Sequence, residues 1–129
     1  GENKNSALNE IKQIIKNMNG DVNIVKYKAK AYTGLEYGME SYFPTWMLKE
    51  DDKVIQTGIK TYKELFKKSP LVDKWTFSTN GVTIRGVHGI PVIGFGPGNE
   101  VLAHAPNEKV PIDHLVKASA FYAGFCSNY

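Results

Sequence analysis

The sequence predicts an α/β protein, and three observations carry that expectation. Apolar residues recur at helical spacing in three stretches. Between them lie short stretches with strand character, one alternating and one a continuous apolar run. The order is helix–strand and then helix–strand–strand–helix, the pattern of a layered domain with helices packed on a mixed sheet. The composition, 42% apolar and 22% charged over 129 residues, is that of a folded chain with material for one modest core.

The first helix is expected over 6–18. Leu8, Ile11, Ile15 and Met18 share a face, Ser6 is placed to cap the amino end, and Gly20 to cap the carboxyl end. The period then changes over 22–32, where Val25, Tyr27, Ala29 and Ala31 alternate with Lys26, Lys28 and Lys30. That is a strand with one wet face, and its lysines discourage pairing along an open edge. Residues 33–48 keep no period. Tyr37, Tyr42, Phe43 and Trp46 gather there around Gly34, Gly38 and Pro44, so the segment reads as a connection that packs against its neighbours.

A second helix is expected over 52–67, with Ile55, Ile59, Tyr62 and Phe66 as its apolar stripe. Asp51 or Asp52 caps it, Lys67 and Lys68 suit its negative end, and Ser69-Pro70 stops it. Then come a strand at 72–77, the polar turn Ser78-Thr79-Asn80-Gly81, and a short helix or turn reaching Gly89. Residues 90–95 have no polar face and read as a buried strand. The last helix, 111–126, opens on Pro111 with Asp113 near its positive end; Ile112, Leu115, Ser119, Tyr122 and Cys126 follow helical spacing. One feature does not close. A helix and a half-wet strand cannot enclose a core, so the first 35 residues read as half of a domain.

Several function classes are disfavoured. The net charge of +3 is small and the lysines are dispersed, with pairs such as Lys67-Lys68 the longest basic runs, so nucleic acid is not an expected partner. No apolar stretch is long enough to cross a bilayer and no signal-peptide pattern opens the chain, so a membrane is not expected either. Cys126 is the single cysteine, which excludes an intrachain disulfide and a cysteine-based zinc knuckle and favours a reducing, cytoplasmic setting. The chain begins with Gly1 rather than methionine, the mark of a processed form or a piece of something longer.

The residues with chemical potential cluster late in the chain. His104, on the loop between the apolar run and the last helix, reads as a metal ligand or general base, or as a loop histidine bonded to a backbone carbonyl. No second ligand stands at a local spacing such as H-E-x-x-H, so a metal here must draw other ligands from distant sequence. Gly94-Phe95-Gly96-Pro97-Gly98 resembles a dinucleotide fingerprint only superficially, because Pro97 lacks an N–H and no helix follows directly. A loop offering backbone N–H groups to a carboxylate or oxyanion, or a plain structural turn, fits it better. If strands 72–77 and 90–95 are parallel neighbours, Thr79 and Asn80 meet that loop at one sheet edge and bind a substrate's polar end; otherwise they close a turn. Glu108 reads as a partner of His104 or as a solvated residue. His88 and His114 read as surface residues, and Cys126 as a packed helix residue.

Three segments together carry a family resemblance: Trp75-Thr76-Phe77-Ser78-Thr79-Asn80-Gly81, Gly89-Ile90-Pro91-Val92-Ile93-Gly94-Phe95-Gly96-Pro97-Gly98, and Leu102-Ala103-His104-Ala105-Pro106-Asn107-Glu108. They resemble the C-terminal part of the di-zinc amidohydrolases and metallopeptidases, which include acetylornithine deacetylase, succinyl-diaminopimelate desuccinylase, aminoacylase and glutamate carboxypeptidase. The likeness is greatest to the branch of hydrolases associated with selenium metabolism. Tyr42-Phe43-Pro44-Thr45-Trp46 and Val110-Pro111-Ile112-Asp113 also fit.

The resemblance implies that residues 1–38 are the end of a lid domain through which such enzymes form homodimers. Residues 39–129 would be the returning part of the catalytic domain. His104 then matches the last zinc ligand, and Thr79, Asn80, Gly96, Pro97 and Gly98 match positions lining the pocket for a substrate carboxylate or amide. The implied reaction is hydrolysis of N-acyl amino acids or short peptides by water activated between paired zinc ions. The remaining ligands and the base glutamate would precede Gly1, so the chain alone is expected to be inactive and to hold no zinc stably. The rival expectation is a non-catalytic binding or dimerisation module built on the same fold.

Overall fold

The computed structural model describes residues 2–75 and 77–129. Thr76, within the strand expected at 72–77, lies outside them. Helices and a small antiparallel sheet make up the described chain, consistent with the α/β class.

The first helix, α1 (Lys4–Ile14), begins ahead of the expected cap. The Asn3 side chain accepts the N–H groups of Asn5 and Ser6 at 3.0 and 3.1 Å, and Ser6 Oγ accepts the Asn3 N–H at 2.9 Å. Ser6 is thus the returning half of a capping box, not the cap itself. The helix also ends short of Gly20, because Asn17, Asn19 and Gly20 are weak helix formers. None of its residues is buried.

Strands β1 (Lys26–Lys30) and β2 (Glu36–Glu40) form an antiparallel hairpin, so the segment expected to be only a connection supplies a strand. Its alternation lasts five residues, too few to stand out in the sequence. The register sets Lys26 opposite Glu40 and Lys30 opposite Glu36 on one face, with Tyr27 opposite Met39 and Ala29 opposite Tyr37 on the other. Gly34 makes the turn. Its φ of +86° suits a residue without Cβ, and its N–H donates to the Ala31 carbonyl at 2.9 Å. β2 crosses the boundary expected between residues 38 and 39. The Lys4 ammonium meets the Glu40 carboxylate at 2.7 Å, tying α1 to the hairpin. That hydrogen bond and the lysine charge hold the Glu40 carboxyl below its ordinary range.

The core lies between α2 (Lys53–Phe66) and α3 (Ile112–Asn128). Both helices stand close to where their periodicity places them, but neither buries the expected stripe. α2 turns Val54, Thr57, Gly58 and Thr61 inward, while Ile55, Ile59, Tyr62 and Phe66 are only half-buried. On α3, Ala118 and Phe121 are buried, while Ile112, Leu115, Ser119, Tyr122 and Cys126 are exposed. In each helix the buried face is offset by one position from the expected one.

Small residues explain the choice on α2. A Cβ on Gly58 would stand 2.7 Å from Ile93 Cδ1, so the glycine lets the apolar run approach the helix. Asn128 joins the helices by donating from Nδ2 to Thr61 Oγ1 at 3.0 Å and to Glu64 Oε2 at 2.9 Å.

At the start of α2, Asp52 holds the cap position but accepts the Lys49 N–H at 2.9 Å instead of a helical one. At its end, Lys67 takes the left-handed conformation, φ +55° and ψ +29°, with its N–H on the Lys63 carbonyl. A side chain there is strained and glycine is not. Lys67→Gly is therefore expected to raise stability by about 0.5–1 kcal/mol, the relief being partly offset by the freer unfolded chain. Thermal unfolding checks this, and an unchanged or lower midpoint refutes it.

Among the described residues neither 72–77 nor 90–95 forms the expected strand. Among the described residues the hairpin is the only sheet. A strand needs a neighbour at about 4.8 Å along its length, and no segment supplies one here. Residues 90–95 instead pack through side chains, Ile93 against Gly58 and Phe95 against Phe121. Of the mixed sheet bearing packed helices, the described residues show only the hairpin. Residues Val82–Val87 form a π-helical turn, and the Pro44 carbonyl approaches Gly86 so closely that a Cβ there would stand 2.8 Å from it. The segment around Pro44 thus packs on its neighbours, as expected.

Candidate functional site

The glycine loop is held from both sides before it reaches open space. A Cβ on Gly94 would lie 1.6 Å from Trp75 Cζ3, so the indole sits directly against the backbone. Phe95 stacks on Phe121 with centroids 3.9 Å apart and planes at 24°, and the Tyr122 hydroxyl donates to the Phe95 carbonyl at 2.6 Å. Anchored this way, Gly96-Pro97-Gly98 borders a cleft of about 410 Å³ between the end of α2 and the start of α3. Tyr62, Phe66 and Phe95 form its apolar wall, and Lys68, His114 and Lys117 its polar one. The Gly98 N–H donates to His114 Nδ1 at 3.3 Å. A smaller cavity of about 220 Å³ adjoins it, sharing Gly98 and His114.

His104 lies outside both cavities. It is exposed, with a φ of +60° that few residues other than glycine adopt. Its main-chain N–H donates to Glu108 Oε2 at 3.1 Å, so Glu108 grips the backbone of His104 and not its ring. The imidazole stands edge-on to Phe77, with centroids 6.2 Å apart. Among the described residues the ring makes no hydrogen bond, so it is not the carbonyl-bonded loop histidine considered from the sequence.

Thr79 and Asn80 serve the π-helical turn. Thr79 Oγ1 accepts the Gly81 N–H at 3.1 Å, and the Asn80 carbonyl accepts the N–H groups of Thr83 and Ile84. Neither residue lines either of these two cavities. The meeting of Thr79 and Asn80 with the glycine loop was expected at an edge shared by two strands, which are not seen among the described residues.

Among the described residues no three His, Cys, Asp or Glu side chains are grouped to hold a metal. Catalytic zinc takes about three protein ligands, so the residues present do not fit a zinc ion by themselves. His88 and Cys126 are exposed.

His114 was expected to be a surface residue and is instead half-buried between the two cavities. Its signal was present. His114 precedes buried Ala118 by one helical turn, and Lys117 precedes Phe121 by the same interval. Reading the wrong face of α3 hid both. Lys117 pairs with Asp113 at 2.7 Å, and this hydrogen bond holds the Asp113 carboxyl below its ordinary range. No helix among the described residues is long and apolar enough to cross a membrane.

Comparison with known proteins adds a family. The model of peptidase family M20/M25/M40 matches residues 6–128. A relative from Escherichia coli strain K12, named uncharacterized protein YgeY, is 51% identical over 125 residues, and so is its counterpart in Escherichia coli O157:H7. The match covers 95% of this chain but 31% of each relative, so the chain spans about a third of their length. No solved structure matches it significantly.

Proposed function

Because the chain belongs to peptidase family M20/M25/M40, we propose that it is the C-terminal portion of a zinc-dependent hydrolase acting on amide bonds of N-acyl amino acids or short peptides. The observation that carries this reading is the family match over 6–128, in a chain that spans 31% of its longer relatives. Those proportions also fit the half-domain at the start of the chain and the apolar run at 90–95, which lacks strand neighbours. The lid portion is 1–38 and the returning catalytic portion 39–129. The hairpin leaves Tyr27, Tyr37 and Met39 exposed on one face, a surface suited to the homodimer contact of the lid. The same reading sets the enzyme in the cytoplasm, in the branch associated with selenium metabolism.

His104 is the zinc ligand this chain contributes, with its remaining partners on the rest of the protein. Two features support the choice: a left-handed backbone fastened by Glu108, and an imidazole free of protein hydrogen bonds among the described residues. Gly96, Pro97 and Gly98 border the substrate, with Thr79 and Asn80 approaching once the sheet is complete. The chain alone is inactive, since it lacks the other ligands and the base.

The test uses the full-length protein loaded with zinc and a panel of N-acyl amino acids and dipeptides. Hydrolysis of at least one is expected. His104→Ala is expected to lower its rate by more than about 100-fold, beyond the loss typical of removing an outer-shell partner, and to reduce bound zinc. Unchanged rate and zinc content in that variant would remove His104 from the site; no hydrolysis of any panel member would remove the activity.

A further inference from the structure

The two cavities bordering the glycine loop have a one-sided charge. Their ionic side chains are all lysines, Lys68 and Lys117 in the larger and Lys109 in the smaller, and among the described residues no Asp or Glu lines either. Lys68 makes no ion pair among the described residues. Lys117 gives one contact to Asp113 at 2.7 Å, and an ammonium has three protons to donate.

The histidine adds a donor. His114 Nδ1 accepts the Gly98 N–H, so its lone pair is in use and the neutral ring carries its proton on Nε2.

The aromatic part of the lining is packed on itself. Tyr62 meets Phe66 at 4.7 Å and Phe95 at 6.1 Å, both edge-on. The loop itself offers little to a phosphate. Pro97 has no N–H and that of Gly98 is already given to His114, so no nest of backbone donors forms there. A volume of about 410 Å³ lies within the range of small-ligand sites.

We propose that this cleft binds a small organic monoanion, its carboxylate against Lys68, Lys117 and His114 and its apolar body on the wall of Tyr62, Phe66 and Phe95. Gly96, Pro97 and Gly98 line this cleft and also border the proposed substrate pocket, but the cleft includes none of His104, Thr79 and Asn80 and needs no metal. Substitution of its lysines therefore tests it apart from the hydrolase reading.

The experiment titrates sodium benzoate into the metal-free full-length protein and follows binding by calorimetry. Saturable binding that weakens with added salt is expected. The double variant Lys68→Glu with Lys117→Glu is expected to weaken it by at least about tenfold, with a small drop in the ligand-free thermal midpoint from loss of the Lys117–Asp113 pair. Lys12→Glu, on exposed α1, is expected to leave it unchanged. No saturable binding to the parent protein overturns the proposal. So does equal affinity for uncharged benzamide, which would remove the lysines, or tighter binding of inorganic phosphate, which would remove the apolar wall.

Discussion

Phe121→Ala is expected to lower unfolding free energy by about 3–5 kcal/mol, the cost of emptying a buried aromatic site. Phe121 is 4% exposed and stands where three parts of the chain meet. It stacks on Phe95 of the glycine loop and on Phe125 of its own helix, and a Cβ on Gly58 of α2 would lie 3.9 Å from its Cζ. Few other side chains share the load, since only Val54, Ala118 and Phe121 form the buried apolar core of the described residues. A small domain has about 5–15 kcal/mol in all, so the variant is left with little. The Tyr122 hydroxyl still reaches the Phe95 carbonyl, but one hydrogen bond of about 1 kcal/mol cannot replace the stack. Urea denaturation measures the loss. A change below about 1 kcal/mol would mean that the α2–α3 contact is not the centre of stability.

Gly94→Ala is the second large effect. Its Cβ would fall 1.6 and 2.1 Å from two atoms of the Trp75 ring, inside any possible contact. Either the backbone moves, dragging Phe95 off Phe121, or the indole leaves the loop. Trp75 is 47% exposed and can swing outward, which holds the cost to the overpacking range of about 1–3 kcal/mol. The displaced indole should shift the tryptophan emission toward longer wavelength. Trp75→Ala removes the obstacle, so the double variant should lose less than the sum of the singles. Strict additivity would show that the indole does not press on Gly94.

How far the sequence reached varies with the kind of structure. The extent of α2 was legible almost to the residue, because a helix is decided by hydrogen bonds and side-chain contacts within a few positions of one another. α1 was misplaced at its start by the competition of Asn3 with Ser6 for the cap, which only geometry resolves, and at its end by the weak helix formers before Gly20. The hairpin was half legible. Its lysine-alternating strand showed, but the partner with Gly38 at its centre did not.

The candidate site divides in the same way. Gly96, Pro97 and Gly98 were recognisable as a motif, and His104 as a histidine in the right company. Their separation was not foreseeable, because it depends on strands that this chain leaves unpaired. Lys68, His114 and Lys117 belong to no motif at all; helix packing alone brings them together.

By itself, then, the sequence determined that three helices form, the glycine loop as a motif and the family likeness, all of which rest on residues near one another or on recognisable words. Tertiary structure decided which helical face is buried, that the apolar run packs without a ladder, and that three cationic or donor side chains border one cleft. Each of these is a contact between distant segments. Such contacts are selected by how closely backbones approach, as Gly58 allows and Ile55 does not advertise, and that distance is written in no local pattern.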